Sequence, residues 1–219
     1  MPKFKLQISM SLDGYVAGPN QSEEHPLGEG GMRLHEWAFA LEAWRAPHGQ
    51  EGGETNASSA VMDEMLENVG ACVMGRNMFG PGRGPWEDYP WDGWWGDEPP
   101  YHAPVFVLTS HPREPLEMQG GTTFYFVTEG IEAALEQAKS AAGEKDVSLG
   151  GGASVAQQYL KAGLLDELTI NVVPVLLGDG ARLLDHVGGA DISLECTRAI
   201  RGPAATHLTY RACKNGADR

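Results

Sequence analysis

The chain has 219 residues, of which 42% are hydrophobic and 21% charged, and its formal net charge is −14. That length suits one large domain and can bury a core without metal or disulfide staples. The acidic balance argues against nucleic acid and anionic membranes, which repel such a surface, but not against a phosphate held by a local arginine and oriented amides.

Residues 4–10 alternate, with Phe4, Leu6, Ile8 and Met10 on one face, so they predict a strand. Residues 18–31 read as loop, and 32–45 as one helix with Leu34, Trp37, Ala38, Leu41 and Trp44 on a face. A second helix is predicted over 56–68, capped by Asn56 or Ser58 and ended by Gly70. A short strand at 71–74 then runs into a turn or short helix at 75–79. Residues 81–101 form a loop crowded with Gly, Pro and Trp.

Strands follow at 105–108 and 122–127, a helix at 129–142, a strand at 146–149, a helix at 153–162 closed by Gly163, and a strand at 166–174. Residues 191–199 and 206–212 predict a terminal strand pair. Strands alternating with helices imply an α/β layered fold with a largely parallel sheet, and the final pair would add antiparallel edge strands.

Cys72, Cys196 and Cys213 are odd in number and widely spaced, which fits a reduced, cytoplasmic setting. Cys72 sits in an apolar run and is expected to be buried. No signal-peptide core is visible, and no run nears the roughly 20 apolar residues of a membrane span.

Three segments carry chemistry. Gly150-Gly151-Gly152 stands between a strand and a helix, where glycines let amides approach an anion and the helix dipole favours it. A pyrophosphate is the natural guest, and a tight turn without ligand is the alternative. The segment is neither G-x-G-x-x-G nor a P-loop. Gly75-Arg76-Asn77 also follows a strand, and Arg76 offers a planar fork for phosphate or a partner for a surface carboxylate. Thr109-Ser110-His111 could hold a further phosphate or simply cap its own loop. Ligands of open α/β sheets bind at the carboxyl ends of strands, and all three segments sit there. One extended ligand with a pyrophosphate and a further phosphate would join them. NADPH has that form.

These motifs, with Ser11-Leu12-Asp13-Gly14-Tyr15-Val16-Ala17 after the first strand, Gly163-Leu164-Leu165-Asp166-Glu167-Leu168 and Pro174-Val175-Leu176-Leu177-Gly178-Asp179-Gly180, resemble the dihydrofolate reductase-like superfamily. The nearest branch is the reductase domain of bacterial riboflavin-biosynthesis deaminase–reductases and its stand-alone relatives. The resemblance runs from about residue 3 to 210. It implies a three-layer α/β/α fold with a mixed, mostly parallel central sheet and antiparallel C-terminal edge strands. It implies an NADPH-dependent reductase, commonly a homodimer, acting on a small heterocycle of pterin, pyrimidine or flavin-precursor type. Cofactor contacts would fall at Ala17, Gly75, Arg76, Asn77, Thr109, Ser110, Gly150, Gly151, Gly152, Ala153, Ser154 and Val155. No metal is implied.

The chain departs from the family at three places. Gly150 stands where the riboflavin branch carries Glu. Asn56-Ala57-Ser58-Ser59, followed by Asp63 and Glu64, stands where dihydrofolate reductases carry an acid, and 18–55 reads as an insertion within a single domain. Asp13 is the first candidate for proton donor or substrate anchor, or else a plain Asp-Gly turn. Glu64, through a water, is the second. Trp86 and its loop are expected either to wall the substrate or to plug the loop, and Trp37 either to line the mouth or to pack in the core. A cofactor-binding protein without turnover is the rival reading. A hydrolase or metalloenzyme is not supported, because H-x-H, H-E-x-x-H and G-x-S-x-G spacings are all missing.

Overall fold

The structure is a computed structural model that describes residues 2–188 and 192–213. In chain order the strands are β1 (Phe4–Ser11), β2 (Tyr15–Ala17), β3 (Val69–Gly75), β4 (Pro104–Leu108), β5 (Leu116–Glu117), β6 (Thr123–Val127), β7 (Asp146–Leu149), β8 (Glu167–Val173), β9 (Ala181–Arg182), β10 (Ser193–Arg201) and β11 (Thr206–Cys213). The helices are α1 (Glu36–Phe39), α2 (Glu42–Arg45), α3 (Ser59–Leu66), α4 (Arg76–Phe79), α5 (Ile131–Ala142) and α6 (Ala153–Lys161).

Nine strands form one sheet in the order β10-β11-β8-β1-β7-β3-β4-β6-β5. The six from β8 to β6 in that order run parallel, β11 and β10 continue antiparallel at one edge, and β5 is antiparallel at the other. β2 and β9 pair separately.

Alternate residues of β3 show how the sheet divides its faces. Ala71 and Val73 join the core under α5 and α6, whereas Cys72 and Met74 join an aromatic core with Phe79, Trp86 and Phe124. α6 buries Val155, Ala156, Tyr159 and Leu160, a stripe set by helical periodicity. The second face is covered towards β8 by residues 31–66, through Leu34, Trp37, Leu41 and Met62. Three layers result. Cys72 is buried as expected, and burial pushes its thiol up to about 12. Among the described residues no helix is long and apolar enough to cross a membrane.

The helix expected over 32–45 is broken. A 3-10 turn, α1 and α2 replace it, because Leu41 is extended (φ −83°, ψ 141°) and the chain there pairs with residue 54. Glu42 N donates to Glu54 O at 3.1 Å and Glu54 N to Ala40 O at 2.8 Å. The apolar face is buried all the same, so the spacing marked burial correctly and continuity wrongly. α3 is also shorter than expected. The chain leaves it through Asn68, whose φ is 58°, and Gly70 lies inside β3 instead of ending the helix. β2, β5 and β9 are too short to show a period. The terminal pair is present as β10 and β11, and Asp191 of its expected range lies outside the described residues.

Candidate functional site

The two glycine turns meet. β3 and β7 are parallel neighbours with Val73 beside Leu149, so their carboxyl ends emerge together. Gly150 N donates to Val73 O at 2.8 Å, and Gly75 N to Gly151 O at 3.1 Å. Gly151 has a φ of 101°, which side-chain-bearing residues rarely adopt. A Cβ on Gly75 would lie 2.6 Å from Val155 Cγ2, so the approach of the two segments requires glycine there. Gly150 is different. A Cβ there would meet Met74 at an ordinary 3.6 Å, so close packing does not demand glycine at this position.

Gly152 caps α6 with no side-chain hydrogen bond. The opening turn, Ala153, Ser154 and Val155, therefore presents amides and a helix dipole that no side chain caps, which is the arrangement that holds a phosphate. Val155 itself is buried against Gly75, and Ser154 is exposed. Ala17 lies in β2, tied to Ala181 of β9, and Gln157 Nε2 of α6 donates to Arg182 O at 2.8 Å. That bond links the Ala17 ribbon to the helix.

Arg76 opens α4 and is pressed over the Trp86 ring, 3.4 Å from guanidinium carbon to ring centroid. Its three guanidinium nitrogens are buried and have no hydrogen-bond partner among the described residues. Burial and the nearby Arg113 pull its pKa down to about 10. Arg113 also lies over Trp86, at 5.0 Å, and is tied to Asp92 Oδ1 at 2.6 Å. Two like charges thus share one indole. Asn77 and Ser110 are exposed, while Thr109 accepts from His111 N at 3.1 Å, a local turn of its own.

Trp86 is 8% exposed, contacts Phe79 and Phe126 edge-on, and donates from Nε1 to His111 O at 2.8 Å. It is the plug of the long loop and the seat of Arg76, not an open wall for substrate. Trp37 is 5% exposed and donates to Ser9 Oγ at 3.0 Å, which places it in the core.

The structure places the two expected proton donors, Asp13 and Glu64, in separate settings. Ser11 Oγ donates to Asp13 Oδ1 at 2.6 Å, while Leu177 N (3.2 Å) and Gly178 N (2.8 Å) donate to its carboxylate. These bonds, the one from Ser11 first, hold the pKa down at about 2. Asp13 is a clamp between the 11–17 and 174–180 segments, and these donors favour its charged form. Glu64 pairs with Arg198 and borders a groove with Lys3, Lys5 and Asp146, at the amino ends of β1 and β7. That is the opposite end of the parallel strands from the glycine turns.

A buried polar row was not visible in the sequence. Ser9, Asn171 and His207 are cross-strand neighbours on β1, β8 and β11, and Ser58 reaches them from α3's N-cap. The available signal was parity. Ser9 falls off the Phe4–Leu6 face and so had to point into the other layer.

A family model, the RibD C-terminal domain, matches residues 2–208. No curated protein matches. Among solved structures, a protein assigned to riboflavin biosynthesis in Shewanella sp. PV-4 is 22% identical, with a TM-score of 0.59 over 97% of this chain and 99% of that one. A diaminohydroxyphosphoribosylaminopyrimidine deaminase/5-amino-6-(5-phosphoribosylamino)uracil reductase of Thermotoga maritima is 13% identical, with a TM-score of 0.55 over 97% of this chain and 57% of that one. Dihydrofolate reductase of Enterococcus faecalis, solved with NADP(H), is 13% identical, with a TM-score of 0.51 over 96% of each chain. These likenesses speak for the fold, which is dihydrofolate reductase-like. The chain belongs to the RibD C-terminal domain family.

Proposed function

We propose that the chain is an NADPH-dependent oxidoreductase that reduces a small heterocycle of the pyrimidine, pterin or flavin-precursor class. The observation that carries the cofactor reading is Arg76, whose buried guanidinium has three nitrogens without partners. Such a charge is costly to bury unpaired and calls for an anion. The 2′-phosphate of NADPH supplies one, and NADH does not.

The residues fit the cofactor. Gly150, Gly151, Gly152 and the first turn of α6 would hold the pyrophosphate by backbone amides. Arg76, with Thr109 and Ser110, would hold the adenosine phosphate, and Arg113 adds a second positive charge beside it. Gly75 keeps the two segments in contact, and Asp13 fixes the loop that edges the site. Reduced nicotinamide, when bound, supplies hydride. The heterocycle class is supported by family membership and by the reductase activity for which the Thermotoga relative is named.

Binding of NADPH and NADH, followed by oxidation with a panel of pterins, pyrimidines and flavin precursors, tests the reading. A second reading, a cofactor-binding protein without turnover, is favoured by one observation, the commitment of Asp13 to a structural clamp. Tight NADPH binding with no oxidation across the panel would select it. A homodimer is part of the first reading. Leu12 and Leu176 are 66% and 63% exposed on adjoining segments, and sedimentation of a monomer at micromolar concentration would remove it.

A further inference from the structure

Arg76 and Arg113 lie over the same indole but are held in opposite ways. Arg76 is 3.4 Å from the Trp86 ring centroid, and its three guanidinium nitrogens are buried without a hydrogen-bond partner among the described residues. Arg113 is 5.0 Å from that centroid, and both its terminal nitrogens are taken. Nη1 donates to Trp91 O at 2.5 Å and Nη2 to Asp92 Oδ1 at 2.6 Å. One loop therefore covers the first arginine with Trp86 and occupies the second with Asp92. Trp86 Nε1 ties that loop to His111 O at 2.8 Å, two residues before Arg113.

Covered nitrogens cannot touch an incoming anion, so a phosphate has first to draw Arg76 off the indole. Arg76 gives up no hydrogen bond in leaving, only the stack on Trp86. Arg113 is held by a pair open to solvent: the Asp92 side chain is 68% exposed, against 22% for Arg113. Such pairs are weak. A phosphate dianion carries more charge and more acceptor oxygens than one carboxylate, and two guanidinium forks suit it better.

We propose that Asp92 is an internal stand-in for the 2′-phosphate of the cofactor and that, with Trp86, it masks the Arg76–Arg113 pair, so that Asp92 sets how far this chain prefers NADPH to NADH. This rests on the NADPH reading above. NADH has no phosphate at that position and leaves the mask in place. NADPH has to displace it, so its apparent affinity is reduced by the fraction of molecules in which the pair is free. Asp92 thus narrows the preference between the two cofactors, and its removal widens it.

Calorimetry of NADPH and NADH into the wild-type chain and into Asp92→Asn, Asp88→Asn and Arg113→Gln tests the mask. The Trp86 indole N–H is followed in ¹⁵N-tryptophan-labelled protein, its signal assigned by Trp86→Phe. Asp92 and Asp88 are both exposed in one loop, so neither change endangers the fold, and Asp88→Asn controls for the lost negative charge. Asp92→Asn should bind NADPH about two- to fivefold more tightly, with NADH unchanged. Asp88→Asn should match the wild type for both. Arg113→Gln should weaken NADPH about three- to tenfold and leave NADH alone. Saturating NADPH should move the Trp86 signal, and NADH should not. NADPH no tighter in Asp92→Asn, an equal gain in Asp88→Asn, or a Trp86 signal unmoved at saturation would each overturn the proposal. NADPH binding with any of those results sinks the mask alone. The expected binding pattern without oxidation on any substrate sinks turnover alone, and NADPH binding in neither the wild type nor Asp92→Asn sinks both.

Discussion

The amide of Gly75 donates to the carbonyl of Gly151 at 3.1 Å, which locks the end of β3 to the turn that follows β7. The first turn of α6 completes the surface through Val155, whose Cγ2 occupies the space a Gly75 side chain would need. Gly75→Ala should therefore cost about 1–3 kcal/mol of stability by overpacking. It should also weaken NADPH by about tenfold or more, because the amide cradle shifts with it. Thermal melts and calorimetry on one variant check both, and an unchanged melting point with unchanged affinity would show that the contact yields freely.

Arg76 should separate stability from binding. Its guanidinium is buried over Trp86 without a hydrogen-bond partner among the described residues. Replacing such a charge with an apolar residue of similar length is neutral or stabilising in many proteins. Arg76→Leu should thus melt at the same temperature or higher, yet bind NADPH about 10–100-fold more weakly. A lower melting point would mean that stacking on Trp86 outweighs the burial cost.

Asp13 should govern stability at low pH and leave the neutral range alone. Its folded pKa of about 2 lies below the ordinary carboxylate value, so its contribution is present above about pH 4 and is lost as pH falls towards 2. Asp13→Asn should lower the melting point at pH 7 and flatten acid unfolding between about pH 4 and 2. An ionisation near neutrality in any turnover profile that disappears in this variant would show that Asp13 does titrate there.

His35 and His207 act in the opposite pH range. Burial lowers both pKa values, against a backbone bond to Gly31 for His35 and together with Arg198 for His207. Both rings take up a proton less readily in the native state than in the unfolded chain. The unfolded chain binds protons from about pH 6.5 downward, so the native state loses stability as pH falls through that value and gains nothing above it. The melting point should drop between about pH 7 and 5.5, and His207→Gln should remove part of the slope. A flat melting point across that range would contradict the burial of these rings.

Much of this was legible in the sequence where a period or a turn residue fixes the geometry. The 4–10 alternation and the Gly150–Gly152 turn, each between well-marked neighbours, gave their elements within a residue or two. The carboxyl-end rule then brought Gly75, Arg76 and Gly150–Gly152 to one end of the sheet, and hydrogen bonds join the strand end at Val73–Gly75 to the Gly150–Gly152 turn. What stayed hidden depends on contacts between distant segments. The break at Leu41 is made by residue 54, and Arg76's environment by Trp86 and Arg113. Asp13 looked like a proton donor because the amides that donate to it, those of Leu177 and Gly178, are 164 and 165 residues away. Ser58, Asn171 and His207 share no local motif, since they come from α3, β8 and β11 and meet only when the sheet forms.

Calorimetric titration of NADPH and NADH into the wild-type chain and into Arg76→Leu tests the central claim most directly. The account predicts micromolar or tighter NADPH, NADH weaker by about tenfold or more, and loss of that preference in the variant. Equal affinities for the two cofactors in the wild-type chain, or no binding of either, would contradict it.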